Sequence, residues 1–249
     1  MTVDQALDLA TSRLRAGGVA EAPLDAELLL RHVLGWDRAK VLASGRDGLP
    51  AGDEARFLRL VAARARRRPL QHLTGTQAFW RHEFVVGPAV LIPRPETEVL
   101  VESALELLKA IHRPCVIDVG TGSGCIALSL AAERPDAIVV ATDLSAAALQ
   151  VARRNASRLD LAGRVRFVRG DLLDAFRAGA RTPVDLVVSN PPYVEEEEWR
   201  GLAPEVRDHD PRGALVPPEG VAALYRRLLE GAAPAARWRW RSGRACPRP

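Results

Sequence analysis

One stretch constrains this chain more than any other. An apolar run at 116–119 passes through Asp118 and Val119 into Gly120-Thr121-Gly122-Ser123-Gly124, and helical spacing then continues to Ala132. A second apolar run, 138–142, follows and ends on Asp143. Strand, glycine turn, helix and strand in this order predict a βαβ unit with parallel strands. Glycines let the backbone turn tightly and approach a ligand closely beside the positive end of a helix. Asp143 follows the loop by about 20 residues, where a carboxylate accepts both hydroxyls of a ribose. Together they point to a nucleoside-containing cofactor in a Rossmann-like crevice.

The alternation continues with a helix over 146–158 and strands at 165–168 and 186–189. Continuous apolar strands alternating with helices predict an α/β fold, a parallel sheet covered by helices on both faces. Residues 2–70 differ: Leu14, Leu28, Leu29, Val33, Phe57, Leu58 and Val61 fall at helical spacing, punctuated by Gly17-Gly18, Gly35 and Gly48. A small N-terminal helical bundle is expected there. Between the two regions, Phe79 and Phe84-Val85-Val86, bounded by Gly75 and Gly87-Pro88, predict a short hairpin. A helix with acids in its first turn starts near Glu96.

Several function classes fall away on composition. No apolar stretch approaches the ~20 residues that span a bilayer, and the N-terminus lacks the pattern of a secretory leader. A cytoplasmic location and no membrane partner are therefore expected. Cys115, Cys125 and Cys246 form no CxxC pair, and the five histidines show no metal spacing, so no metal is expected. The net charge of +4 invites a nucleic-acid reading, but five arginines and no acid lie in 231–249. Without them, 30 basic residues stand against 31 acidic ones, a net charge of −1 over residues 1–230.

The loop also sorts cofactors. No Gly-Lys-Ser/Thr follows it, which excludes a P-loop, and the third glycine of a dinucleotide fingerprint would fall on Cys125. Cys125 itself is expected to be a small buried residue. A compact GxGxG suits S-adenosylmethionine, which has no pyrophosphate to cradle.

At the carboxyl end of the fourth strand stands Ser189-Asn190-Pro191-Pro192-Tyr193. Ligands bind at that edge of a doubly wound sheet. Pro191 forces Asn190 out of the helical region, and the second proline stiffens the loop. The Asn190 carboxamide oxygen and the Pro191 carbonyl can each accept a hydrogen bond from one target –NH₂, while Tyr193 stacks on its planar carrier. An amide or aromatic amine has a delocalised lone pair. Two acceptors steer that lone pair toward a methyl donor and favour the charge developing on nitrogen, without a titrating base.

These residues together resemble the HemK/PrmC family, the N5-glutamine methyltransferases of peptide chain release factors. The likeness rests on Pro69-Leu70-Gln71-His72-Leu73-Thr74-Gly75, on Ile92-Pro93-Arg94-Pro95-Glu96-Thr97-Glu98, on the glycine loop and on Asn190–Tyr193. It implies transfer of a methyl group to a glutamine side chain, with S-adenosylmethionine as cofactor and a release factor as protein partner. It further implies that Gly120, Thr121, Gly122, Ser123, Gly124, Asp143, Asp171, Leu172 and Asn190 bind the cofactor. Asn190, Pro191, Pro192 and Tyr193 would hold the glutamine, and Phe79 with the 94–98 segment would wall the site. The expected organisation is a substrate-recognition bundle over 1–72, a hairpin linker over 73–95 and a class I methyltransferase domain over 96–230. A monomer is expected.

After Glu230 the resemblance stops. The family continues with a Pro-Gly-Gly turn and further strands, whereas this chain carries alternating Arg and Trp from Arg237 to Arg241. The 231–249 tail is expected to be aberrant, the C-terminal strands lost to a frameshift. One permitted choice of codons, read two bases later, restores a strand-like sequence. Two other readings compete with glutamine methylation. An adenine-N6 DNA or RNA methyltransferase would hold a flipped base in the same pocket, which makes nucleic acid an alternative substrate. An inactive binding module would use only the bundle and the tail.

Overall fold

A computed structural model describes residues 1–176 and 184–232. From residue 233 on, the Arg/Trp tail and Cys246 lie outside the described residues, and with them the expected loss of C-terminal strands. The chain divides into two compact units.

The first unit holds Met1–Gly75 together with Ala203–His209. Its helices are α1 (Val3–Ala16), α2 (Ala22–Leu34), α3 (Arg38–Ala43), α4 (Ala51–Ala65) and α5 (Leu70–Thr74). Thr2 starts α1 with a capping box shared with Gln5, which satisfies two backbone donors the helix cannot pair itself. Val3, Ala6, Ala10 and Leu14 recur at helical spacing and bury one face of α1 against Leu29, Leu30, Phe57 and Val61. Residues 203–209, within the stretch 96–230 of the sequence reading, group with this unit. Its Glu205 accepts from Arg67 Nε and Nη2, both at 2.6 Å, and from Arg64 Nη1 at 2.9 Å. Arg64 also donates to the buried Asp25 at 2.6 Å. This pairing lies far apart in sequence and has no periodic signature.

Among the described residues, the second unit holds 76–176, 184–202 and 210–232. It opens with the antiparallel hairpin β1 (Thr76–Phe79) and β2 (His82–Val85). There follow α6 (Glu98–Leu108), β3 (Cys115–Val119), α7 (Cys125–Glu133), β4 (Ile138–Asp143), α8 (Ala146–Arg158), β5 (Val165–Arg169) and β6 (Leu186–Ser189). The short helices α9 (Glu196–Trp199) and α10 (Pro204–Arg207) precede α11 (Val221–Ala232); α10 lies in the segment that joins the first unit. β3 to β6 form a parallel sheet in the order β5-β4-β3-β6, the α/β Rossmann-like arrangement that the alternation predicts. β3 is buried at every position, as a strand covered on both faces must be. Register pairs Val119 with both Thr142 and Ser189. The loops that begin at Gly120, after Asp143 and at Asn190 therefore leave one edge of the sheet side by side. No helix among the described residues is long and apolar enough to cross a membrane.

Candidate active site

The glycine loop owes its shape to backbone that only glycine adopts freely. Gly120, Gly122 and Gly124 have φ of 71°, 55° and 84°, in the left-handed region that penalises a Cβ. Thr121 N–H donates to the Thr142 carbonyl at 2.8 Å and Gly122 N–H to Asp143 Oδ2 at 2.9 Å. The other Asp143 oxygen accepts from Ser145 N–H at 2.8 Å. Asp143 thus fixes the loop as well as facing the crevice. At Gly124 a Cβ would lie 3.0 Å from Leu128 Cδ1 and 3.2 Å from Ala152 Cβ. That glycine lets α7 and α8 pack closely.

Above this edge lies a cavity of about 440 Å³ within the second unit. Gly120, Thr121, Gly122, Ser123, Asp143, Asp171, Leu172, Asn190 and Pro192 line it. Gly124, Pro191 and Tyr193 stand outside the lining; Tyr193 is 54% exposed. Phe79, read as a wall of the site, is buried in the core edge-to-face with Phe84. Of the 94–98 segment, Arg94 and Thr97 reach the cavity. Leu172 has φ of 46°, an uncommon state for a branched side chain.

Asn190 is held from two sides. Its Nδ2 donates to Thr97 Oγ1 at 3.2 Å, and the preceding Ser189 hydroxyl donates to the Val119 carbonyl at 2.8 Å. The second bond ties the Asn-Pro-Pro-Tyr loop to the residue before the glycine turn. Arg94 pairs with the buried Asp210 at 3.0 Å. Burial pushes the Asp210 carboxyl up to about 6, against the opposing pull of Arg94.

Asp118, at the penultimate position of β3, is wholly buried. Its Oδ2 accepts from the Thr121 hydroxyl at 2.6 Å and from Ala127 N–H at 3.2 Å, while Oδ1 has no hydrogen-bond partner among the described residues. Burial pushes its carboxyl up to about 7; the Thr121 and Ala127 bonds work the other way, and the nearby Asp143 adds to the rise. Cys125 is likewise driven up to about 12 by burial, which leaves an inert thiol.

Four contacts escaped the sequence reading, although Thr97 lies in the 94–98 segment expected to wall the site. Thr97 partners Asn190. Arg227 donates to Asp171. Asp210 anchors Arg94. Asn155, wholly buried in α8, accepts from Val85 N–H at 2.7 Å and donates to the carbonyls of Val85 and Ser123 at 3.0 and 2.8 Å. Only Asn155 left a local signal, a polar residue in register with the buried Ala152 and Ala156.

The lining fits S-adenosylmethionine. Added Cβ atoms at Gly120 and Gly122 would meet nothing within 4 Å, so the loop backbone is bare on its open side. A carboxylate for ribose hydroxyls (Asp143), apolar surfaces for a purine (Leu144, Leu172) and a carboxylate for an exocyclic amine (Asp171) border one space.

A parallel sheet with this loop and acid defines a class I S-adenosylmethionine-dependent methyltransferase, and residues 96–205 match the methyltransferase small domain. Residues 5–75 match the PrmC N-terminal domain. The chain is 47% identical over 234 residues to the release factor glutamine methyltransferase of Moorella thermoacetica, covering 94% of this chain and 81% of that protein. It is 46% identical over 213 residues to the enzyme of that name from Burkholderia pseudomallei, covering 84% and 74%. For the Deinococcus radiodurans enzyme the figures are 44% over 235 residues, 94% and 82%. The chain belongs to the release factor glutamine methyltransferase (HemK/PrmC) family.

Proposed function

We propose that this chain transfers a methyl group from S-adenosylmethionine to the side-chain amide nitrogen of a glutamine in a peptide chain release factor. The observation that carries the reading is Asn190, held by Thr97 at the rim of the glycine-loop cavity. Gly120, Thr121, Gly122, Ser123, Asp143, Asp171 and Leu172 would hold the cofactor, with Gly124 supporting the loop from behind. When bound, S-adenosylmethionine supplies an electrophilic methyl group on a sulfonium.

The chain's own residues then have a positioning task. Asn190 Oδ1 and the Pro191 carbonyl accept the two N–H bonds of the target amide and fix its plane. They stabilise the positive charge that develops on nitrogen as its lone pair is drawn out of conjugation, and the N–H proton displaced by the new N–C bond passes to water. Pro192 closes the loop, and the exposed ring of Tyr193 covers the amide face. The first unit, with the exposed apolar side chains Leu24 and Leu42, would hold the release factor. The enzyme would act as a monomer, and nucleic acid would enter only through the factor's own role.

The test is transfer of labelled methyl from S-adenosylmethionine to a purified release factor, with Asn190→Ala alongside. Label on the factor with the native chain and its loss with the variant support the reading. Label on nucleic acid instead would replace it with the adenine reading.

A further inference from the structure

We infer that Arg94 takes the α-carboxylate at the methionine end of S-adenosylmethionine. The inference deepens the function proposed above and rests on its cofactor site. S-adenosylmethionine ends in an amino acid whose carboxylate is ionised at neutral pH, and a charge taken out of water needs a partner of opposite sign. Asp143 and Asp171, proposed for the nucleoside end, repel an anion. The glycine loop offers little to one. Its Thr121, Gly122 and Gly124 N–H groups are already spent on the Thr142 carbonyl, Asp143 Oδ2 and the Thr121 carbonyl. A side-chain cation is the better partner.

Two cations border the cavity among the described residues, Arg94 and Arg227. Arg227 is committed to Asp171 and Glu219, each at 2.6 Å. Arg94 is not so engaged. Its Nη2 donates to Asp210 at 3.0 Å, and no other hydrogen bond occupies its side chain among the described residues. A guanidinium carries five N–H donors in a planar fork that matches a carboxylate, so Nε and Nη1 are open. The Asp210 side chain is 1% exposed and that of Arg94 36%. Asp210 therefore holds the guanidinium from the protein side and leaves the rest of the fork on the open side. The backbone is prepared as well. Pro95 restricts Arg94 to extended conformation, φ −96° and ψ 142°, and the Arg94 carbonyl accepts from Thr97 N–H at 3.0 Å.

The experiment is calorimetric titration of the native chain and Arg94→Gln with S-adenosylmethionine and with its decarboxylated analogue, which keeps the sulfonium and the amine. Arg94→Gln is expected to weaken S-adenosylmethionine binding by about 30-fold, the scale of a charge-assisted hydrogen bond. Binding of the analogue is expected not to weaken, which also shows that the variant is folded. Unchanged S-adenosylmethionine binding in a folded Arg94→Gln overturns the inference, as does an equal loss for both ligands. If the single variant does not fold, with Asp210 buried and its guanidinium gone, Arg94→Gln combined with Asp210→Asn is judged by the same criteria. The native chain needs no variant. It is expected to prefer S-adenosylmethionine over the analogue by at least about tenfold, and near-equal affinities overturn the inference. Transfer of label to release factor is assayed in parallel. A native chain that binds S-adenosylmethionine and labels no release factor loses the proposed function, while the affinities still decide for Arg94. A native chain that binds neither ligand overturns both.

Discussion

Arg227 and Asp171, 56 residues apart in sequence, meet at 2.6 Å between Nη2 and Oδ2, and the same guanidinium reaches Glu219 at 2.6 Å through Nη1. All three side chains border the cavity. α11 thereby fixes the direction of the Asp171 carboxylate, proposed above as part of the cofactor site. With Oδ2 engaged, Oδ1 is the oxygen that would meet the cofactor.

Arg227→Gln is therefore expected to weaken cofactor binding by about fivefold, ~1 kcal/mol, the scale of a solvent-screened pair. Native affinity should fall as salt rises, and the variant's affinity should respond less. Calorimetric titration at low and high salt reads both effects. Equal salt dependence in the two proteins would separate Arg227 from the site.

Asn155→Ala leaves Val85 N–H and two carbonyls without their buried partner. A loss of about 2–3 kcal/mol in unfolding free energy is expected, measured by urea denaturation. The variant should also bind cofactor more weakly, because Ser123 belongs to the glycine loop.

The two glycines of the loop should separate by stability. Gly124→Ala combines a φ of 84° with contacts of 3.0 and 3.2 Å to Leu128 and Ala152, whereas Gly122→Ala meets open space. Strain alone is expected to cost Gly122→Ala about 1 kcal/mol, and Gly124→Ala at least about twice that, since packed side chains must also shift. Thermal unfolding of the two variants compares them directly.

Asp118 makes stability depend on pH with a definite sign. Its folded pKa, about 7, lies above the ordinary 3.8, so the folded state binds the proton more tightly than the unfolded chain. That contribution is fully present below about 3.8 and is lost as pH rises through about 7. Asp118→Asn keeps the shape and cannot ionise. Relative to native, the variant is expected to gain stability between pH 5 and pH 8, read from urea midpoints. A difference that stays constant across that window would contradict a protonated Asp118.

The sheet was legible because its inner strands, β3 and β4, are buried on both faces and so appear as largely apolar runs. The loop was legible because left-handed backbone selects glycine so strongly. Asn190 was legible because proline restricts what surrounds it. What escaped are hydrogen bonds between distant segments: Thr97 to Asn190, Arg227 to Asp171, Asn155 to Ser123 and Val85. Each rests on one polar side chain whose partner is fixed only once the sheet has brought distant loops together, and such pairs carry no period. Glu205 escaped for the same reason. Its two arginine partners draw 203–209 to the first unit although the residues on either side belong to the second.

The atom that receives the methyl group decides the proposed function. The direct measurement is mass spectrometry and acid hydrolysis of release factor after reaction with isotopically labelled S-adenosylmethionine. A single labelled methyl is expected on the side-chain amide nitrogen of one glutamine, released on hydrolysis as methylamine. Label on lysine, arginine or a carboxylate, or on adenine in a parallel nucleic-acid reaction, would contradict it.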